Sequence, residues 1–289
     1  MRLKWILPLA IFPIAACSAL LSAQQAPTPV GENPPVEENF IVTSDVTYTQ
    51  GINGPLKADV YIPMSPGLHP GIVFIHGGGW VSGNRNQMIK VIKAMADAGY
   101  VGFTIDYDLG KSTFPGALNE SLAAVRFFRA HAAEYHLDPF RIAVAGTSAG
   151  GELAALVGLA QGDTASHVEA AIVFNGALDL TLPDPKTSLP SVVTIYLGGQ
   201  CESIMETCKA ASPQFQVHAG APPFYVGHGD QDQSVPFVQA VAFTNALKAA
   251  GVPVEFFQAN GGKHTYWSDP RFYSANLDAI KAFLALHLK

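Results

Sequence analysis

The sequence predicts an α/β protein with a mostly parallel central sheet, an antiparallel hairpin at its start and helices on both faces. Three observations predict it. Short, wholly apolar runs recur along the chain, stretches of helical periodicity separate them, and 48% of the 289 residues are hydrophobic while only 14% are charged. Strands that are apolar on both faces must be covered on both faces, and parallel strands need long crossovers. Each apolar run is therefore read as a strand, and each periodic stretch as the helix that returns the chain.

The elements follow in order. Arg2 and Lys4 precede an apolar stretch from Trp5 to Ala16 that is too short to span a bilayer, the layout of an export signal. Ile14-Ala15-Ala16-Cys17 resembles the lipobox of bacterial lipoproteins, which implies acylation of Cys17 and anchoring to a membrane; ordinary cleavage near Ala23 is the alternative. Either reading places the mature protein outside the cytoplasm, as a periplasmic or membrane-anchored lipoprotein or as a secreted protein. Residues 1–23 are thus expected to be a leader, and 24–39, rich in Pro, Gln and Glu, a flexible tether. A single α/β domain is expected over 40–289.

Within it, 41–49 and 56–62 alternate apolar and polar residues around Gln50-Gly51-Ile52-Asn53-Gly54-Pro55, the pattern of an antiparallel hairpin at the sheet edge. Core strands are expected over 71–75, 100–105, 141–145, 170–174, 224–226 and 254–257. Helices are expected over 87–98, 118–136, 150–160, 235–250 and 271–286. The segment 178–222 breaks the rhythm with several prolines and no clear long helix, and reads as an insertion over the active site or as a long irregular connection. It holds Cys201 and Cys208, an even pair once Cys17 is set aside, for which a local disulfide is expected and two free thiols are the alternative. No His or acidic cluster with ligand spacing surrounds them, so no metal site is expected. A net charge of −6 without a Lys/Arg cluster argues against a nucleic-acid partner.

The strongest local signal runs from Ile142 to Gly151, an apolar strand entering Gly146-Thr147-Ser148-Ala149-Gly150 and then a helix of small residues. G-x-S-x-G between a strand and a helix reads as a nucleophile elbow. Its turn is so tight that the serine takes strained backbone, and the residues two positions either side must be small. A serine hydroxyl attacks only when a base takes its proton, and the helix N-terminus behind Ser148 favours the charge that develops. After the first core strand comes His76-Gly77-Gly78-Gly79-Trp80. Backbone N–H groups can approach an oxyanion closely only where no side chain intervenes, so the amides of Gly78, Gly79 and Ala149 are the expected donors. A phosphate-binding loop is the competing reading, but the Lys-Ser/Thr of a P-loop and the spacing of a dinucleotide fingerprint are missing here.

With these motifs in place, nearly everything from about Val60 onward resembles the HGGG-type esterases and lipases of the α/β-hydrolase superfamily, including the hormone-sensitive-lipase-like and the feruloyl and acetyl-xylan esterase-like branches. The resemblance is carried by His76-Gly77-Gly78-Gly79-Trp80-Val81-Ser82-Gly83, by Asp106-Tyr107 after the next strand, by Phe114-Pro115-Gly116-Ala117-Leu118, and by Asp138-Pro139-Phe140-Arg141-Ile142 entering the elbow strand. It implies the α/β-hydrolase fold and ester hydrolysis through an acyl-enzyme. His228-Gly229-Asp230-Gln231-Asp232-Gln233-Ser234-Val235-Pro236 is similar to the family's H-G-x-x-D-x-x-V-P, whose Asp is the catalytic acid. That implies Asp232, with Asp230 and Asp179 as alternatives. The order Ser, Asp, His leaves His264 and His287 as bases. His287 belongs to the last helix, whereas His264 sits in a loop after the final strand, followed by Thr265 where the family usually has a small residue.

The aromatic residues Trp80, Tyr107, Tyr266 and Trp267 are expected to line a sugar- or aryl-accepting cleft, or else to belong to the core. The function expected is that of an exported serine carboxylesterase, acting without metal or organic cofactor on short-chain or aryl esters, or as an acetyl-xylan or feruloyl esterase on plant polysaccharide. A serine exopeptidase of the prolyl-oligopeptidase type shares the elbow, but such enzymes generally carry a propeller domain that this length cannot hold. A non-catalytic binding protein on the same fold tends to lose a triad member.

Overall fold

The alternating segments at the start form the hairpin: β1 (Phe40–Gly51) pairs antiparallel with β2 (Gly54–Pro63), Ile41 opposite Ile62 and Gly51 opposite Gly54. The structure is a computed structural model that describes residues 38–110, 112–182 and 191–289. The leader, Cys17 and all but the last two residues of the tether lie outside the described residues.

From β2 the chain alternates strand and helix. β3 (His69–Ile75), α1 (Ile89–Asp97), β4 (Val101–Ile105), α2 (Gly116–Ala130), β5 (Leu137–Thr147), α3 (Ala149–Gly158) and β6 (Ala170–Phe174) come first. Then follow α4 (Val192–Leu197), α5 (Met205–Ala210), β7 (Phe224–Gly229), α6 (Phe237–Ala249), β8 (Val254–Ala259) and α7 (Tyr273–His287). The eight strands form one sheet in the order β1-β2-β4-β3-β5-β6-β7-β8. Neighbours from β4 to β8 are parallel, and β2 joins β4 antiparallel. This is the α/β-hydrolase fold. Because side chains alternate across a strand, Ile72 and Phe74 pack on one face with α1 and α7, through Val91, Ile92, Ile280 and Phe283. Val73 and Ile75 pack on the other with α2, α3 and α6, through Val125, Phe128, Leu153 and Phe243.

Two departures from the expected elements have local causes. The helix expected over 118–136 ends at Ala130, and the chain then turns through His136 in a left-handed conformation (φ 53°) into β5. β5 begins four residues earlier than its apolar run because Pro139 falls where the pairing with β3 slips, between His69 opposite Leu137 and Gly71 opposite Ile142. A proline costs no ladder bond at such an irregularity.

The segment 178–222 is not wholly irregular. It carries α4, capped by the Ser191 hydroxyl accepting from Thr194 N–H at 3.2 Å, and α5, with a 3₁₀ turn at Pro213–Phe215. Cys201 and Cys208 form a disulfide with their Cα atoms 5.7 Å apart, joining the loop before α5 to the helix itself.

Candidate active site

β5 ends at Thr147 and α3 begins at Ala149, so Ser148 alone makes the turn between them. Its backbone lies at φ 56°, ψ −121°, a conformation costing about 1–3 kcal/mol for a residue with a side chain. Ser148 N–H donates to Phe174 O at 2.9 Å and helps to hold it there. The flanking glycines are required by contact. A Cβ on Gly146 would stand 2.0 Å from Gly150 O, and one on Gly150 would stand 2.2 Å from Ile75 O.

The glycine loop after β3 faces this turn. Gly78 and Gly79 take φ of 125° and 61°, and a Cβ on Gly78 would meet Ser82 O at 1.9 Å. Gln87 fastens the loop, its Oε1 accepting Gly77 N–H at 2.6 Å. Gly78, Gly79 and Ala149 all line the cavity above Ser148, and their amides donate to no acceptor among the described residues. Three N–H groups beside a serine hydroxyl are what an oxyanion needs.

His264 approaches from the loop after β8. Its Nε2 accepts the Ser148 hydroxyl at 2.9 Å, and its Nδ1–H donates to Asp232 Oδ2 at 2.7 Å. Asp232 lies in the turn after β7, its side chain wholly buried. Oδ1 accepts the amides of Ser234 (2.7 Å) and Val235 (3.1 Å), and Oδ2 also accepts Asn175 Nδ2 at 2.7 Å. His228 Nε2 stands 3.2 Å from the same oxygen while donating to Val235 O at 3.0 Å. Burial by itself would raise the Asp232 carboxyl, but the bonds from His228 and His264, the His264 charge and the Ser234 amide hold it far below the usual carboxylate range. Neither alternative acid reaches His264. Asp230 is taken by Gly261 N–H at 2.7 Å, and Asp179 by the Thr181 amide and hydroxyl at 3.0 and 2.6 Å.

The cavity over Ser148 has a volume of about 430 Å³. Leu180, Leu182, Val192 and Val193, from the first half of the segment 178–222, form an apolar wall, and Asp179, Ser234 and Gln239 bring polar groups. Among the described residues that line it, Asp179 is the one carboxylate, and there is no Lys or Arg. Of the four aromatics expected in the cleft, Trp80 and Trp267 line it. Tyr107 and Tyr266 do not, and the expectation is corrected for both. Tyr107 is 2% exposed, stacks on the His76 ring at 4.4 Å and donates its hydroxyl to His76 O. Tyr266 is fully buried under the sheet, stacked on Phe257 with its hydroxyl turned towards Asn276. Both stand beside motif residues in sequence but point into the core.

Sequence reasoning missed Asn175, Gln87 and Glu152. Asn175 offered a faint signal, as a polar residue closing the apolar run of β6, in a left-handed conformation (φ 48°) that asparagine tolerates. Glu152, fully buried one turn after Ser148, accepts Trp80 Nε1–H at 3.0 Å and the Tyr196 hydroxyl at 3.1 Å.

Comparison with known proteins agrees with this fold. Esterase LipQ of Mycobacterium tuberculosis is 31% identical over 243 residues, 78% of this chain and 57% of its own length. Isoprenylcysteine alpha-carbonyl methylesterase ICME of Arabidopsis thaliana is 26% identical over 240 residues, 74% of this chain and 55% of its own. The chain thus spans little more than half the length of these curated relatives. Among solved structures, the propionate-bound esterase Est2 of Thermogutta terrifontis superposes with a TM-score of 0.73 at 30% identity, covering 86% of this chain and 94% of that one. A truncated carbohydrate esterase from gut microbiota shares the fold, with a TM-score of 0.75 at 24% identity over 87% of this chain and 99% of that one. The BD-FAE family profile matches residues 58–247, a span that takes in the glycine loop, the serine turn and Asp232. On that match and this fold, the chain belongs to the BD-FAE family of α/β-hydrolase-fold proteins.

Proposed function

We propose that the chain is a serine carboxylic-ester hydrolase in which Ser148 is the nucleophile, His264 the general base and Asp232 the acid that orients it. The observation that carries this is the unbroken relay from Ser148 Oγ through His264 to Asp232, at 2.9 and 2.7 Å, on the floor of a cavity roofed by the Gly78-Gly79 loop. His264 takes the hydroxyl proton as Ser148 Oγ bonds to the ester carbonyl carbon. The amides of Gly78, Gly79 and Ala149 hold the oxyanion. As the intermediate collapses, the C–O bond to the alcohol breaks and His264 protonates the departing oxygen. Water, deprotonated by the same ring, then releases the acid and restores Ser148. Buried and held by four donors besides His228, Asp232 stays ionised beside the imidazolium and never needs to take its proton.

A short acyl group fits best, because the apolar wall closes directly over the glycine loop. Val192 carbons lie 3.1–3.3 Å from where a Gly79 Cβ would stand. The propionate- and butyrate-bound forms of the Thermogutta terrifontis esterase support the same reading. Sugar-linked acetyl esters belong to this class. On a nitrophenyl butyrate, Ser148→Ala is expected to lower kcat by at least about 10³-fold with the melting temperature retained. Near-normal turnover by that variant would defeat the assignment.

The N-terminal residues are read as an export leader with Cys17 as the lipidated residue. The presence of the 201–208 disulfide is in keeping with an oxidising compartment. Expression with the native N-terminus in a bacterial host should give a mature chain beginning at an acylated Cys17; a chain retaining Met1 would refute the leader.

A further inference from the structure

We infer that Glu152 is a positioning residue: its carboxyl fixes the oxyanion loop against the serine helix and binds both to α4. The inference rests on the ester-hydrolase reading and adds to it a residue outside the triad and the oxyanion donors. Glu152 sits one turn beyond the nucleophile, its amide donating to Ser148 O at 3.0 Å, so its place on α3 is set by the same turn that sets Ser148. Two side chains from other segments end on its carboxyl. Oε2 accepts Trp80 Nε1–H at 3.0 Å, and Oε1 accepts the Tyr196 hydroxyl at 3.1 Å. The indole and the Tyr196 ring stack with centroids 4.3 Å apart and planes 1° from parallel. The Tyr196 carbonyl in turn accepts Phe114 N–H at 2.8 Å, which ties α4 to the chain entering α2.

Trp80 directly follows Gly79 and has φ 59°, a conformation a bulky residue keeps only where its surroundings hold it. The Glu152 bond and the Tyr196 stack are those surroundings. Displacement of Trp80 would carry the Gly78 and Gly79 amides with it, and an error of about 1 Å in such donors costs on the order of 10²-fold in rate. The effect falls on the transition state, where the oxygen is charged, more than on ground-state binding.

The carboxyl acts in its uncharged form. Glu152 has no exposed surface, and among the described residues no Lys or Arg pairs with it. The titratable groups facing it are Tyr196 on α4 and Tyr107 after β4, both pushed upward by burial and by this carboxyl, so among the described residues no cation compensates an anion. Burial raises Glu152 well above its ordinary value, with the Trp80 and Tyr196 bonds opposing it. With its proton on Oε1 the carboxyl donates to the Tyr196 oxygen, reversing that bond, while Oε2 still accepts from Trp80. Glutamine reproduces this state, its amide donating to the Tyr196 oxygen and its oxygen accepting from Trp80.

The test compares Glu152→Ala, Glu152→Gln and Tyr196→Phe on a nitrophenyl butyrate, with kcat and KM measured separately. Glu152→Ala is expected to lower kcat about 30-fold while KM moves less than about 3-fold. Glu152→Gln is expected to recover most of that loss. Tyr196→Phe, which keeps the ring stack and the fold, is expected to lower kcat about 5-fold and to have no further effect in the Glu152→Ala background. Wild-type kcat in Glu152→Ala, a loss carried by KM, or a Glu152→Gln as impaired as the alanine variant would overturn the inference. Should Glu152→Ala not fold, a Tyr196→Phe with unchanged kcat overturns it alone. Failure of the wild-type protein to cleave any ester would instead refute the proposed function.

Discussion

Asn175 donates to Asp232 Oδ2 at 2.7 Å, the same oxygen that receives the His264 Nδ1–H. The two residues stand on adjacent parallel strands' ends, after β6 and β7, and the Asn175 amide donates to Gly227 O at 2.9 Å. The side chain that steadies the acid is thus itself held by the sheet. A carboxylate buried with fewer donors than lone pairs is less well fixed and less able to hold the imidazole in its working tautomer.

Asn175→Gly removes this donor while accepting the left-handed backbone, so strain does not confuse the result. It is expected to lower kcat about 10-fold with little change in KM, measured by steady-state kinetics on a nitrophenyl ester. Unchanged kcat would show that the amides of Ser234 and Val235 suffice to orient Asp232.

A second prediction concerns stability against pH. Glu120 on α2 is buried, its Oε2 accepts Asp108 N–H at 2.8 Å, and burial with the Asp108 charge nearby raises its carboxyl from 4.5 to about 7. The unfolded chain therefore releases this proton more readily than the folded one. The contribution to stability is complete below pH 4.5 and is lost as pH rises through about 7. Glu120→Gln escapes that loss. Its melting temperature relative to wild type is expected to rise between pH 4.5 and 7.5, by several degrees for about 1–3 kcal/mol. Parallel melting curves across that range would contradict the assignment.

The third prediction follows from the cavity lining, where among the described residues Asp179 supplies the sole carboxylate and no Lys or Arg offsets it. Arg85, near the glycine loop in sequence, is held by Asp45, Asp59 and Asp106, and Lys263 beside His264 is exposed and outside the lining. Esters with an anionic acyl chain should be poor substrates. A nitrophenyl hemisuccinate is expected to show kcat/KM at least about 10-fold below the valerate, with the ratio shrinking in high salt and in Asp179→Asn. Equal turnover of the two esters at low ionic strength would exclude a role for this charge.

How much of this was legible beforehand depended on the range of the interactions involved. β6 and the β1–β2 hairpin could be read because an apolar run or an alternation is a local pattern. The elbow could be read because the clashes at Gly146 and Gly150 demand glycine within two residues of the serine. Asp232 and His264 were legible through chain order and the resemblance that the motifs carried. Asn175 and Glu152 were not, since their partners stand 57 and 72 residues away in sequence. α4 and α5 escaped because six residues are too few to show a helical period. Tyr107 and Tyr266 misled because adjacency to a motif does not say whether a side chain leaves the sheet edge toward the cavity or toward the core.

The central claim is that Ser148 is a nucleophile activated by His264. The Thermogutta terrifontis esterase 2 is known in a form phosphorylated by paraoxon, at 29% identity to this chain. Paraoxon titration with peptide mass mapping tests the claim most directly. Ester hydrolysis is expected to be lost in step with one diethylphosphoryl group per chain on the peptide containing Ser148, with no labelling in His264→Ala. Hydrolysis that survives the reagent, or a label on any other residue, would contradict it.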